Sequence, residues 1–308
     1  MEFSQFIKEI FTRLLSNDNS LFPLYRSYKN SIFKLLIIKL KVLKNAFNYY
    51  LINYRVRRGA FKGIKSHRDK CHDKLALVIG AGPSAATLDF KLLKQLSSKG
   101  QLDIFLVNYL LLDPKYFALK PKYLVLSDPN SSPSSTYPKS IALWRILNQL
   151  DTKIITPMHW HGRYNLRDCN LTQCLHFNDA SLEGLSTNTS PLKPRGFAAL
   201  TVYRAMSIAL YFDYKKVLIS GVDNSNFFKI KVTSDNQLIQ GSHHAFSNYA
   251  EDTDLTKYYT NGIGDYLYDI AEMHLSLRRC FKGKNIFNVG LGSEVDSFPK
   301  IDLKNAFL

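Results

Sequence analysis

The sequence of 308 residues predicts an α/β domain with a Rossmann-like, mostly parallel sheet and helices on both faces of that sheet. Short apolar runs alternate with helical patterns from Leu75 onward, and a glycine turn follows the first of these runs. Runs such as residues 216–223 (KVLISGVD) are typical of strands that are covered on both faces, as parallel strands are. We therefore place the domain at residues 75–308 and a basic helical extension at residues 1–74.

The order of the elements follows from hydrophobic periodicity. Continuous or alternating apolar runs predict strands at residues 75–80, 103–108, 123–128, 153–158, 216–223 and 284–290. Apolar side chains recur at helical spacing between them, which predicts helices at residues 84–99, 138–150, 196–213 and 263–281. Two long polar segments, residues 128–140 and 224–262, follow predicted strand ends. Loops of such length in a compact domain are usually lids of a site or disordered.

The N-terminal segment carries most of the net charge of +16. Residues 1–74 hold 16 Lys and Arg against 5 Asp and Glu, whereas the rest of the chain holds 25 against 20. Lysines interrupt the apolar run of residues 31–54, so this run is too charged to span a membrane. Residues 1–65 are instead predicted to bind an anionic membrane surface as interfacial helices. Packing on the protein's own domain or on a second subunit of a homo-oligomer is the alternative, and we expect no nucleic-acid partner.

Cysteine usage indicates the compartment. The four cysteines have neither the paired spacing of a zinc site nor the density of a disulfide framework, and no signal-peptide pattern is present. We therefore expect reduced thiols in a cytoplasmic protein. The histidine pairs lack further ligands at a suitable spacing, so we also expect no metal, and we expect no cofactor. With the basic extension, this predicts a peripheral protein at the inner face of a bacterial membrane.

The glycine turn after the first strand is the main candidate for ligand binding. Gly80, Gly82, Pro83 and Ser84 lie where a strand turns into a helix, and glycines there let the backbone approach a phosphate. The dinucleotide fingerprint also requires an acidic residue at the end of the second strand, but this strand ends in Asn108. The turn therefore predicts an anionic nucleotide and argues against NAD.

Further candidates lie after other predicted strands. Asp128 and Asn130 can point into a common crevice, although both residue types also favour turns for local reasons. Asp223 ends a buried strand, where an acid can hold a sugar hydroxyl, cap a loop or support a base. Arg195 precedes a predicted helix and could clamp a phosphate or a carboxylate, or be simply solvated.

Histidine pairs are the candidates for proton transfer. His243 and His244 lie in the predicted lid, and one of them could enter the site as a general base. A second pair, His159 and His161, follows a strand and is a secondary candidate.

These segments resemble the small Rossmann-like bacterial sialyltransferases. The resemblance covers about residues 75–302 and rests on VIGAGPSAATLD, the strand ending in Asn108, SDPN, ALTVYRAMSIAL with KKVLISGVD, and KNIFNVGLGS. It extends to related glycosyltransferases and to pterin pyrophosphokinase-like proteins that share a Gly-x-Gly-Pro-Ser turn. The sialyltransferase resemblance implies a metal-independent, inverting transfer of a nonulosonic acid (sialic acid-, Kdo- or pseudaminic-type) from a CMP-activated donor to a surface glycan or glycolipid.

The resemblance also implies roles for individual residues. Gly82, Pro83 and Ser84 would lie against the CMP phosphate. Asn108 and Asn130, or Asp128, would contact the nucleotide or the donor sugar, and Asp223 would lie beside the donor. His244 would be the base, with His243 next. Independently of the resemblance, two tyrosines of the predicted lid, Tyr249 and Tyr258, could stabilise the leaving group together with Arg195.

The chain departs from the family's pattern at three places. Ala81 stands where those enzymes carry Asn, and residues 196–199 (GFAA) stand where they carry Ser/Thr-Ser-Gly. Asp265 lies near the place of their histidine. The identity of the sugar therefore stays open, and so does the base, between His244 and Asp265. A Mg²⁺-dependent pterin-type pyrophosphokinase and a membrane-tethered nucleotide-binding protein without activity are the alternative functions.

Overall fold

The computed structural model describes residues 40, 43–44, 47, 61–68, 71–147, 149–160, 174–241, 253–260 and 262–307. Its central feature is a seven-stranded parallel sheet, which confirms the predicted α/β, Rossmann-like class. The strands of this sheet are β1 Leu75–Ile79, β2 Leu102–Val107, β3 Tyr123–Val125, β4 Lys153–Pro157, β5 Cys174–Phe177, β6 Lys216–Ser220 and β10 Ile286–Asn288. A separate antiparallel sheet contains β7 Ile230–Val232, β8 Leu238–Gln240 and β9 Thr253–Asp254.

Helices connect these strands. They are α1 Lys62–Lys65, α2 Phe90–Ser98, α3 Pro114–Phe117, α4 Pro138–Leu147, α5 Thr201–Tyr211 and α6 Ile263–Phe281. The small-residue helix α5 packs against β1, β2, β3 and β6. Its alanines and serine are buried, which lets the helix lie close to the sheet.

The strand order is β10-β6-β1-β2-β3-β4-β5. From β1 the chain proceeds strand by strand to β5, and it then returns to the other side of β1 to form β6 and β10. The connections that leave β1 and β6 therefore diverge, which opens a crevice at the carboxyl ends of these two strands. This is the position of the glycine turn.

Two predicted helices begin later than the sequence pattern suggests. Residues Pro83–Thr87 form a short 3₁₀ helix, and the α-helix begins only at Phe90, where the Asp89 carboxylate caps the Leu92 amide. The prediction of one helix over residues 84–99 was wrong in its first turn. The helix predicted at 196–213 begins at Thr201, because the preceding backbone follows the Ser181–Arg195 bridge and Gly196 packs tightly against the Ser186 carbonyl.

The sequence pattern also missed some β structure. Strand β5 (CLHF), which pairs with β4, lies between polar residues and contains His176, so it lacks the apolar run by which the other strands were predicted. The segment predicted as a polar lid at 224–262 contains the antiparallel sheet β7–β9. A small core of Leu238, Leu255, Tyr266 and Ile270 joins this sheet to α6.

Part of the basic N-terminal segment packs with the domain. Phe61, Ile64 and Cys71 are buried in the main core. Leu40 and Phe47, in contrast, are about half exposed on a helix. Within the described residues no helix is both long and apolar enough to cross a membrane.

Candidate functional site

The glycine turn and the end of β6 form the floor of the crevice. The Gly80 amide donates to the Ser220 carbonyl at 2.8 Å, and the Gly82 amide donates to the Gly221 carbonyl at 2.9 Å. Gly221 has a φ of 68°, in the left-handed region that glycine adopts without strain. The two turns are thus held to each other by backbone hydrogen bonds.

Space explains the glycines of this turn. A Cβ on Gly80 would overlap the Gly221 carbonyl and lie 3.2 Å from Val202 at the start of α5. A Cβ on Gly82 would overlap the Asp223 carboxylate and lie 2.8 Å from the Gly221 carbonyl oxygen. The glycines therefore permit close packing of β1, β6 and α5, whether or not a ligand is bound.

Ser84 uses both its amide and its hydroxyl oxygen inside the protein. The amide donates to Oδ2 of Asp223 at 2.8 Å, and the hydroxyl oxygen accepts from the Gly221 amide at 2.9 Å. Ser84 is 3% exposed. Ala81 differs, because its amide has no acceptor among the described residues and its side chain is partly exposed. Between the backbone amides of Ser84 and Ala81, that of Ala81 is therefore the one available to an anion.

Asp223 has one carboxylate oxygen without a partner. Oδ2 holds the Ser84 amide, whereas Oδ1 is buried and has no hydrogen-bond partner in the described part of the chain. The residue is 4% exposed. A buried carboxylate oxygen without a donor is costly, so such an atom indicates a missing donor from water or from a ligand.

Asn108, which is predicted to contact the nucleotide, also has a buried side-chain oxygen without a donor among the described residues. It follows β2 with a φ of 47°, and its Nδ2 donates to the Thr201 hydroxyl at 3.2 Å. The same hydroxyl lies 2.6 Å from that of Ser127, after β3. Oδ1 of Asn108 is buried and has no partner within the residues described. The ends of β2 and β3 thus meet the first turn of α5, and Thr201 is a site residue that the sequence pattern did not identify.

The loop after β3 is shaped by its own polar residues. Asp128 accepts from the Asn130 amide at 2.9 Å, and Asn130 is exposed. These two residues therefore form a local turn.

Tyr109 lies close to Asp128. Burial, with further contributions from Asp128 and Tyr137, raises the pKa of Tyr109 to about 12. The Tyr109 hydroxyl is also buried and unpartnered among the described atoms, which makes it a further candidate for ligand contact.

Arg195 is buried and ion-paired. Its guanidinium donates to Oε2 of Glu183 at 2.8 Å and to the Phe197 carbonyl. It is 8% exposed, so it is not the simply solvated arginine that the sequence also allowed. Its Nε has no partner in the described region. A role in clamping a phosphate remains a prediction.

A second polar cluster lies at the carboxyl ends of β4 and β5. Nδ1 of His159 lies 3.3 Å from Oδ2 of Asp179, and the Arg204 guanidinium lies 3.6 Å from Oδ1 of the same carboxylate. Burial raises the pKa of Asp179, but the hydrogen bond from His159 and the charge of Arg204 outweigh it and lower the pKa below its ordinary value. Asp179 was missed because β5 was not recognised, and Arg204 was missed because its pairing with Asp179 arises only in the tertiary structure.

The remaining predicted site residues fall in different places. His243, His244, Tyr249 and His161 lie outside the described residues. Asp265 is in the first turn of α6 and is partly buried, and Tyr258 is 74% exposed. Within the described ranges no three His, Cys, Asp or Glu side chains form a group that could hold a metal ion.

Comparison with protein-family models gives no match for this chain, and no curated protein matches it either. The function is therefore inferred from the residues of the crevice and from their geometry.

Proposed function

We propose that the protein is a glycosyltransferase that moves a nonulosonic acid from a CMP-activated donor to a glycan or glycolipid acceptor, without a metal and with inversion. The observation that supports this most is a pair of buried acceptor atoms at the crevice, Oδ1 of Asp223 and Oδ1 of Asn108, which lack donors among the described residues. Both oxygen atoms need a hydrogen-bond donor. The ribose hydroxyls and the cytosine amino group of CMP are such donors.

The crevice also offers a place for the phosphate. Ala81 lies between Gly80 and Gly82, and its amide, which has no acceptor in the described part of the chain, can donate to an anion. Nucleotides in open α/β sheets bind outside the carboxyl ends of the strands at the point where the strand order reverses, which here lies between β1 and β6. We place the phosphate at Ala81 and the ribose towards Asp223.

The proposed reaction needs a base and a stabilised leaving group. The base takes the proton of the acceptor hydroxyl, the acceptor oxygen forms the new bond to the anomeric carbon, and the bond between this carbon and the CMP oxygen breaks. CMP leaves with the electron pair, and backbone amides with tyrosine hydroxyls stabilise its charge. From the resemblance the base is His244, with His243 and Asp265 as alternatives. Tyr249 and Tyr258 are the candidate tyrosines at the leaving group.

The N-terminal extension fits an acceptor at a membrane. Residues 1–65 would hold the enzyme peripherally at the inner face, where lipid-linked glycans are assembled, through lysines and apolar side chains. This places the proposed enzyme in the synthesis of a capsule or lipopolysaccharide.

A thermal-shift screen tests the proposal. The purified protein is measured with CMP, CDP, UDP, GDP, ATP and NAD, each with and without EDTA, because a ligand that binds the native state raises the melting temperature. We expect a shift with CMP or CDP that persists in EDTA. A shift confined to ATP with Mg²⁺ would instead favour the pterin-type pyrophosphokinase. CMP binding without release of CMP from any donor would favour a nucleotide-binding protein without activity.

A further inference from the structure

Ser225 has a buried hydroxyl without a partner, two residues after the buried carboxylate oxygen of Asp223. Ser225 is 6% exposed and Asp223 is 4% exposed. Oγ of Ser225 and Oδ1 of Asp223 both lack a hydrogen-bond partner in the described part of the chain. Buried polar atoms are costly when they are left without a partner. The segment after β6 therefore presents two neighbouring hydrogen-bonding groups that need a ligand or water.

Tertiary contacts hold the backbone around these two groups. The Asp223 carbonyl accepts from the Glu294 amide at 3.2 Å. Asn224, which lies between the two residues, has a left-handed φ of 49°, and its Nδ2 donates to the Tyr203 hydroxyl at 2.8 Å. Because the backbone is held in this way, the side chains of Asp223 and Ser225 start from fixed positions relative to each other, as a preorganised binding site requires.

The two groups lie beside the proposed position of the phosphate. A Cβ on Gly82, the residue after Ala81, would lie 2.9 Å from Cγ of Asp223, so this carboxylate is adjacent to the glycine turn. Ser225 follows Asp223 by two residues, and their Cα atoms are therefore at most about 7 Å apart. In a nucleotide only the 5′ oxygen and the 5′ carbon separate the phosphate from the ribose ring. A phosphate at Ala81 thus leaves the ribose within reach of this segment.

We propose that Asp223 and Ser225 form a subsite for the vicinal 2′,3′-diol of a ribonucleotide, an inference that rests on the proposed function. The 3′-hydroxyl is nearer to the 5′-phosphate along the sugar ring, and it donates to Oδ1 of Asp223, the group beside the turn. The 2′-hydroxyl is farther away and bonds to Oγ of Ser225, which can both donate and accept. The diol gives both buried groups a partner, so Ser225 determines specificity for a ribonucleotide over a deoxyribonucleotide.

Titration calorimetry of the full-length protein with CMP, 2′-deoxy-CMP and 3′-deoxy-CMP tests the subsite. The wild type should bind 3′-deoxy-CMP about tenfold or more weakly than CMP, as for a lost hydrogen bond to a charged group, and 2′-deoxy-CMP about two- to tenfold more weakly. Ser225→Ala should bind CMP as weakly as the wild type binds 2′-deoxy-CMP, and it should no longer distinguish these two nucleotides. It should keep its preference for CMP over 3′-deoxy-CMP, and Asp223→Asn should show the reverse pattern.

A buried serine that already has a partner provides the matched control. Oγ of Ser207, in α5, donates to the Thr189 carbonyl at 2.5 Å, and Ser207 is 2% exposed. Ser207→Ala should therefore lower the melting temperature and keep the wild-type preferences among the three nucleotides. Ser225→Ala should not lower the melting temperature of the ligand-free protein, because it removes a hydroxyl that makes no hydrogen bond there. An equal loss of melting temperature in both variants would show that Ser225 already has a partner, which overturns its role.

The outcomes separate this inference from the function on which it rests. A wild-type protein that binds no nucleotide overturns both. Equal affinity of the wild type for CMP and both deoxy forms, or an unchanged preference for CMP over 2′-deoxy-CMP in Ser225→Ala, overturns the subsite and leaves the transferase standing. A wild type that binds UDP or GDP instead of CMP overturns the CMP donor, whereas a loss of affinity for the deoxy forms of that nucleotide would still support the subsite.

Discussion

The backbone amide of Ser84 donates a 2.8 Å hydrogen bond to Oδ2 of Asp223, which ties the turn after β1 to the end of β6. The same carboxylate leaves Oδ1 buried and without a donor among the described residues. Asp223 therefore has two separable roles, one in the architecture of the turn and one towards a ligand. Substitutions that keep one role and remove the other can distinguish them.

Asp223→Asn should keep the fold and weaken nucleotide binding. The amide oxygen can still accept from Ser84, whereas the amide nitrogen replaces the acceptor that a ribose hydroxyl would need. We expect a melting temperature close to that of the wild type and an increase in the Kd for CMP of about tenfold or more, as for a lost hydrogen bond to a charged group. Asp223→Ala should also lower the free energy of unfolding, by about 1–3 kcal/mol, because the Ser84 amide loses its acceptor. Unchanged CMP affinity in Asp223→Asn would remove Asp223 from the binding site.

Gly82→Ala should destabilise the turn through overlap. The added methyl group would meet Asp223 and the Gly221 carbonyl, and overpacking of this kind costs about 1–3 kcal/mol. Gly264→Ala is the control, because its methyl group would enter open space in the first turn of α6, where alanine favours the helix by less than about 1 kcal/mol. Thermal melts of both variants should therefore move in opposite directions. A stable Gly82→Ala variant would mean that the turn is more open than this packing indicates.

The sequence predicted the class of the fold because buried parallel strands give continuous apolar runs. It also placed Gly80, Asn108 and Asp223 at the carboxyl ends of three strands, and the structure brings these ends together. It could not predict that the Asp223 carboxylate would hold the Ser84 amide, since that contact joins residues far apart in the chain.

Other parts of the site depend on features that periodicity does not carry. Strand β5 (CLHF) lies within a polar stretch, so Asp179 had no recognisable strand before it. Arg204 lies within a helix of small residues, and its partner is known only once α5 has packed. The pairing of Arg195 with Glu183 likewise arises from tertiary structure. Local sequence patterns thus predict which residues lie at the ends of the strands, but not which side chains form ion pairs in the folded structure.

Arg195 can be tested as a structural or a ligand-binding residue. Arg195→Met should lower the free energy of unfolding by about 1–3 kcal/mol, because the Phe197 carbonyl and the partly exposed Glu183 lose their donor. Adding Glu183→Met should recover much of this loss, since an apolar pair can replace a buried ion pair. If the recovered double variant still shows the thermal shift with CMP, Arg195 acts in the fold. Recovery of stability with loss of that shift would support the predicted phosphate clamp.

The buried tyrosine Tyr116 should make stability depend on pH in the alkaline range. Its side chain is fully buried, its hydroxyl has no partner among the described residues, and burial together with the nearby Asp113 raises its pKa. A raised pKa in the folded state gives stability that is complete below about pH 10, the unfolded value, and is lost as the pH rises further. Between pH 10 and 11 the Tyr116→Phe variant should therefore lose less of its free energy of unfolding than the wild type does. The difference should be up to about 1.4 kcal/mol per pH unit. Urea melts at pH 8, 10 and 11 measure this, and equal alkaline losses in both proteins would contradict it.

The extension provides the last prediction. If residues 1–65 bind an anionic surface, replacing Lys34, Lys39, Lys41 and Lys44 by alanine should reduce sedimentation with phosphatidylglycerol vesicles at least tenfold, because each lysine near such a surface contributes about 1 kcal/mol. Raising the salt concentration should weaken the wild-type binding in the same way. The control removes the same charge from four exposed lysines elsewhere, Lys91, Lys94, Lys99 and Lys284.

The two interpretations of the extension give opposite results in this experiment. An electrostatic anchor depends on where the charge lies, so the extension variant should detach from vesicles while the control variant stays bound. If the extension instead packs on the domain or on a second subunit, its apolar side chains carry the contact. Vesicle binding would then be weak in all three proteins, and Leu40→Asp, at a side chain that is 55% exposed, would change the sedimentation coefficient rather than the affinity for lipid.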